Sequence, residues 1–149
     1  KAVELTRASG NALHVLLILA DGQVSPGECL RATTAAIVRA SSCPLSIVIV
    51  GLGDGPWDDM VKFDDDLEQS KFDNIQFVPF SKFHALLADS KGASKSGVET
   101  AFAICALQEL PAQYAAMTRL GLLGTGGAGG AGAAGAALRD RSRSPRRRS

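Results

Sequence analysis

Aromatic residues are scarce in this 149-residue chain, at one Trp, one Tyr and six Phe. A core of ordinary size must therefore be built from aliphatic side chains. Cysteine is scarce too. Cys29, Cys43 and Cys105 are odd in number and widely spaced. They form no Cys-x-x-Cys pair, which excludes a zinc finger, a RING or a disulfide scaffold. Reduced thiols acting mostly as small apolar core residues, in a cytosolic or nuclear protein, are the simplest reading. Apolar runs such as residues 15–20 fall far short of the ~20 residues that a membrane-spanning helix needs. Residues 1–10 are mixed polar and lack the apolar stretch of a secretory signal peptide. The chain opens on Lys1 rather than Met and is read as a fragment.

What remains is ordinary for a globular protein, with 46% hydrophobic and 21% charged residues. The net charge of +1 hides an asymmetry. Residues 139–149 hold six Arg and one Asp, net +5, so residues 1–138 carry net −4. Composition divides the chain into a folded zone over residues 1–123, a Gly/Ala-rich linker over 124–138 and an Arg/Ser-rich tail over 139–149. The linker and tail lack side chains that could form a core, and the tail is expected to be disordered.

Inside the folded zone, residues 2–9 read as the end of a helix stopped by Gly10-Asn11. Residues 13–19 form an aliphatic run of strand length, of the kind covered on both faces in parallel sheets. Ser25-Pro-Gly-Glu28 has the pattern of a capping box and predicts a helix to about Ala40, with Leu30, Ala36 and Ile37 inward. Pro44 marks its exit. Residues 46–50 are a β-branched strand. Pro56 should start a short acidic helix to about Leu67. Residues 75–78 make a third strand, ended by Pro79. Ser96-x-x-Glu99 is a second capping box, opening a helix that Pro111 breaks or restarts. The succession β-α-β-α-β-α predicts an α/β fold with a parallel sheet.

Few residues stand out as chemical candidates. Gly51-Leu-Gly-Asp-Gly55 lies between a strand and a helix, as a dinucleotide loop would. Its third glycine comes one residue early, and Asp54, Asp58 and Asp59 occupy the helix start where a pyrophosphate needs positive potential. A structural turn with carboxylates complementing the helix dipole is the better account. His14 and His84 have no partner at catalytic or metal-binding spacing. No Ser lies in a nucleophile elbow, and Asp64, Asp65 and Asp66 read as a solvated acidic face. Asp21 directly follows a strand, where open α/β sheets place ligand-binding groups, and a hard cation such as Mg²⁺ accepts a carboxylate there. An Asp-Gly turn is the structural alternative.

Leu16-Leu-Ile-Leu-Ala-Asp-Gly22, Pro44-Leu-Ser-Ile-Val-Ile-Val-Gly-Leu-Gly-Asp-Gly-Pro-Trp-Asp58 and Phe72-Asp-Asn-Ile-Gln-Phe-Val-Pro-Phe80 together resemble the copine-type von Willebrand A domain. Gly53-Asp-Gly-Pro-Trp-Asp58 and Glu109-Leu-Pro-x-Gln-Tyr114 are most similar to the plant RING-type E3 ubiquitin ligases that carry this domain. The likeness covers about residues 12–124. It implies a doubly wound, mainly parallel sheet, here incomplete at about three strands, with helices on both faces. It also implies a metal-ion-dependent adhesion site at the C-terminal strand ends. The Asp of the family's Ile-x-Asp-Gly motif falls on Asp21. The other two ligand loops are expected upstream of Lys1, so Asp21 represents a partial metal site, with Mg²⁺ a cofactor of a full-length homologue.

The resemblance implies a protein-interaction module without catalytic machinery of its own, from a branch in which this domain recognises substrates or partners for ubiquitination. The alternative it leaves is a fragment of a copine that binds phospholipid with calcium. In the family's strand order residues 13–19 lack their usual neighbour, so self-association through that exposed strand edge is a further expectation. Nucleic acid is expected to bind at most weakly, through the tail. Ser142 and Ser144 lie among arginines, Ser144 directly before Pro145, and read as phosphorylation sites. Cytoplasmic or nuclear localisation is expected, with the tail favouring the nucleus.

Overall fold

A computed structural model describes residues 1–65, 69–84 and 95–124. The expected alternation of strands and helices is observed. In chain order the elements are α1 (Ala2–Ala8), β1 (His14–Ala20), α2 (Glu28–Ala40), β2 (Leu45–Gly51), α3 (Asp58–Asp65), β3 (Ile75–Pro79), α4 (Lys95–Leu107) and α5 (Leu110–Arg119). Residues 81–84 add a helical turn after β3.

The three strands are parallel and lie in the order β1-β2-β3. The register runs from His14 opposite Leu45 to Ala20 opposite Gly51. On the other side of β2 it runs from Ile47 opposite Ile75 to Gly51 opposite Pro79. All seven residues of β2 are buried, which fits the Ile/Val-rich run of a central parallel strand. Helices cover both faces. On one face Ile47, Ile49, Ile75 and Phe77 pack with Ile37 and Ala40 of α2 and with Met60 and Phe63 of α3. On the other, Val48, Val50 and Val78 meet Ala106 of α4, with Phe80, Phe83 and Phe102 around them. The architecture is the expected mixed α/β fold, consistent with part of a doubly wound sheet.

Several local expectations give way to packing. The core is not purely aliphatic. Phe102 sits edge-on to both Phe80 and Phe83, with ring centroids 5.5 and 5.4 Å apart, so three of the sparse aromatics group on one face of the sheet, while Phe63 and Phe77 enter the core on the other. Residues 13–19 are not covered on both faces. Leu17 and Leu19 are 60% and 64% exposed, and Val15 and Ile18 are exposed as well, because β1 is the edge of the described sheet.

Neither capping box forms. Gly27 takes the N-cap of α2 without a side-chain hydrogen bond, and α4 has already begun at Lys95. The Ser96 carbonyl instead accepts from the Thr100 hydroxyl at 2.8 Å. Ala36 is exposed, lining an open cleft with Leu16 and Ile18 of β1, while Ile37 is buried and Leu30 half-buried. Pro56 precedes α3 by two residues rather than starting it, and the end expected near Leu67 lies outside the described residues. Pro111 restarts a helix, sitting in the first turn of α5. Of the cysteines, Cys43 is buried and Cys105 half-buried, but Cys29 is exposed on α2.

Candidate functional site

The C-terminal ends of the strands carry the loops on which an open α/β sheet places its ligand-binding groups. β1 ends at Ala20, and Asp21 follows it directly, exposed to solvent. Asp21 therefore occupies the position expected from the sequence. The Leu52 N–H donates to the Ala20 carbonyl at 2.7 Å, and the Phe80 N–H to the Gly51 carbonyl at 2.8 Å. These bonds carry the strand pairing past the sheet edge and hold the three loops side by side.

The loop after β2 is shaped around Trp57. The indole packs tilted against Phe77, with centroids 5.6 Å apart. A Cβ on Gly51 would lie 3.0 Å from two Trp57 ring carbons and 3.1 Å from Phe77. Gly55 has φ +86°, the left-handed region, and a Cβ there would lie 2.8 Å from Trp57 Cδ1. These glycines thus serve close packing of the tryptophan. That is the structural turn expected from the sequence, in place of a phosphate cradle. The Gly55–Pro56 peptide is cis.

Asp58 and Asp59 stand in the first turn of α3, where negative charge complements the helix dipole. The Asp59 carboxylate also meets Lys62 at 3.4 Å. The Asp59 main-chain N–H donates to Gln23 Oε1 at 2.8 Å, tying the loop after β1 to the start of α3. Gln23 carries no sequence signal, because the bond joins positions far apart in the chain. Trp57 is legible only as part of a motif.

The other candidates are not drawn into this site. Half-buried His14 opens β1, at the far end of the sheet, with Nδ1 2.8 Å from the Ala12 carbonyl. His84 is exposed on the helical turn after β3. The side chains of Asp64 and Asp65, and all of Asp66, lie outside what the structure describes, as do Ser142 and Ser144. Among the described residues, no three His, Cys, Asp or Glu side chains gather into a group able to hold a metal ion. The donor set around Asp21 therefore does not fit a cation by itself. No described helix is long and apolar enough to cross a membrane.

Comparison with known proteins adds a family. The copine family model matches residues 1–125. The chain is 46% identical over 131 residues to the E3 ubiquitin-protein ligase RGLG4 of Arabidopsis thaliana, which covers 82% of this chain and 31% of that protein. It is 47% identical over 134 residues to RGLG5 of the same plant, covering 83% of this chain and 29% of the ligase. To copine family protein 1 of Caenorhabditis elegans it is 42% identical over 123 residues, covering 83% of this chain and 10% of that protein. The chain thus spans about a third or less of the length of these relatives.

Proposed function

Because this chain belongs to the copine family, we propose that it is a protein-interaction module that recognises substrates or partners for ubiquitination, as part of a larger ligase. The supporting observation is the 46–47% identity to ubiquitin ligases over most of the chain, against 42% to the copine family proteins. The recognising surface in this reading is the row of loops at the C-terminal strand ends. Asp21, Asp54 and Asp58 are exposed there, on loops fixed from behind by Trp57 and the Gln23–Asp59 bond. An anionic, preorganised surface of this kind favours a partner with basic side chains, since opposite charge speeds encounter and excludes like-charged competitors. Mg²⁺ enters only if residues beyond the described set complete the donors around Asp21, and recognition through this surface does not require it.

The test is a chimera of RGLG4 in which residues 1–124 replace the matching segment. Partner ubiquitination should persist and fall when Asp54→Lys and Asp58→Lys are introduced together, while self-ubiquitination stays unchanged. Equal partner ubiquitination with and without the two lysines would refute the assigned surface. The second reading, a calcium-dependent phospholipid-binding copine, rests on the 42% identity to the nematode proteins. Calcium-dependent sedimentation of the full-length product with phosphatidylserine vesicles would favour it.

A further inference from the structure

The face of the sheet that carries α1 and α2 is not closed. The two helices bound an open cleft of about 680 Å³, floored by Leu16 and Ile18 of β1 and Ile47 of β2. Val3 of α1 and Ala36 of α2 stand along its sides. Ile18 is 37% exposed and Ala36 is exposed as well, so apolar side chains meet solvent here. Side chains alternate along a strand, so Leu16 and Ile18 lie on the opposite face from Leu17 and Leu19.

The rim of the cleft is basic. Lys1, Arg7 and Arg39 line it and are exposed, and Glu4 is the one acidic residue among the described lining. Arg7 and Arg39 stand in the last turns of α1 and α2, where their charge complements the helix dipoles. That accounts for a cation at each helix end, but not for the convergence of both on one apolar cleft. The sign is opposite to that of the loops at the C-terminal strand ends, where Asp21, Asp54 and Asp58 are exposed. A basic partner suited to those loops is repelled here, and an acidic one is attracted.

We propose that this cleft is a second docking site, which takes an amphipathic α-helix of a partner protein whose apolar face is flanked by acidic residues. A helix is about 10 Å across and rises ~1.5 Å per residue, so the buried half of about ten residues displaces roughly 600 Å³. That is close to the volume of the cleft. A site for a small molecule buries most of its ligand, whereas this cleft is open to solvent; a helix brings its own polar outer face. Carboxylates beside the apolar face pair with Arg7 and Arg39, since a guanidinium takes a carboxylate bidentately. A second copy does not supply this helix through α3, its acidic one, because Met60 and Phe63 of α3 are already in the core.

The test is fluorescence anisotropy with the full chain, held below the concentration at which light scattering detects self-association. The probe is a fluorescein-labelled helical peptide of about two heptads, with Leu along one face and Glu on both flanks. It should bind about tenfold or more tighter than its counterpart with Lys in place of Glu. Arg7→Gln with Arg39→Gln should weaken it roughly three- to tenfold, the worth of two exposed ion pairs. Ala36→Trp fills the cleft and should abolish binding, with an unchanged circular dichroism spectrum. No binding of the Glu peptide, equal binding of the two peptides, or full binding by Ala36→Trp would each overturn the proposal. Without peptide binding, oleate binding that Ala36→Trp removes would assign the cleft to a lipid, and self-association that it removes would assign it to a second copy; either overturns the proposal too. These substitutions leave Asp54 and Asp58 in place, so this site and the acidic loops fail separately.

Discussion

Gln23 caps a helix that begins 35 residues after it: its Oε1 accepts the Asp59 N–H at 2.8 Å, at the start of α3. A helix leaves its first N–H groups without intrahelical partners, and here a side chain from another loop satisfies one of them. The bond couples the Asp21 loop to the Trp57 loop.

Gln23→Ala should therefore cost about 0.5–1.5 kcal/mol, the net worth of one such hydrogen bond. Hydrogen exchange would show faster exchange at the Asp59 amide, with the β2 amides unaffected. Unchanged exchange at Asp59 would mean that the bond does not hold in solution.

Gly51→Ala places a methyl group 3.0 Å from Trp57 ring carbons and 3.1 Å from Phe77. Overpacking of this kind costs about 1–3 kcal/mol, read as a lower urea midpoint. Combined with Trp57→Leu, the two losses should sum to less than additive, because the smaller side chain makes room for the methyl. Strict additivity would show that Gly51 is not a packing position for the indole.

The outer face of β1 predicts self-association of the isolated chain. Leu17 and Leu19 are 60% and 64% exposed on a strand with an unpaired edge among the described elements. Light scattering should report species larger than a monomer, and Leu17→Lys with Leu19→Lys should reduce them at little cost in stability. A monodisperse wild-type monomer at high concentration would overturn this expectation.

Mg²⁺ should bind this chain only weakly. Asp21 is the one carboxylate assigned to a cation by family resemblance, and no described cluster supplies two more acidic, His or Cys ligands. Calorimetry with Asp21→Ala as the control decides the matter: micromolar affinity that disappears in the variant would show a complete site.

The tail should direct the protein to the nucleus. Deleting residues 139–149 from a tagged chain is expected to shift it toward the cytoplasm. Ser142→Glu with Ser144→Glu should do so in part, since negative charge among the arginines offsets the local +5. An unchanged distribution in both variants would count against a targeting role.

The succession of strands and helices along the chain and the position of Asp21 are legible in the sequence. Each depends on a local pattern: the β-branched run of β2, the Gly10-Asn11 stop after α1, and an Asp-Gly pair closing an aliphatic run. The helix starts at Ser25 and Ser96 are misleading for an equally local reason. A capping box specifies which hydrogen bonds are possible, while the tertiary path of the entering chain selects the residue that forms them. Gln23 shows the converse, a cap supplied from a distant loop that no local pattern announces.

By itself the sequence determined the parallel α/β alternation, because a continuous Ile/Val run such as residues 47–50 is stable only where both faces are covered. It also determined the separation of an acidic body from an Arg/Ser segment, because charge is a sum over residues and needs no coordinates. Among the described residues, tertiary structure decided how differently the two seven-residue strands are covered, β2 buried throughout and β1 largely exposed, although periodicity reads both as aliphatic runs of strand length. The difference lies in neighbours: among the described elements β2 has a strand on each side and helices on both faces, whereas β1 has a single strand beside it. Burial belongs to what surrounds a side chain, so two similar runs reach opposite environments only once the sheet is assembled.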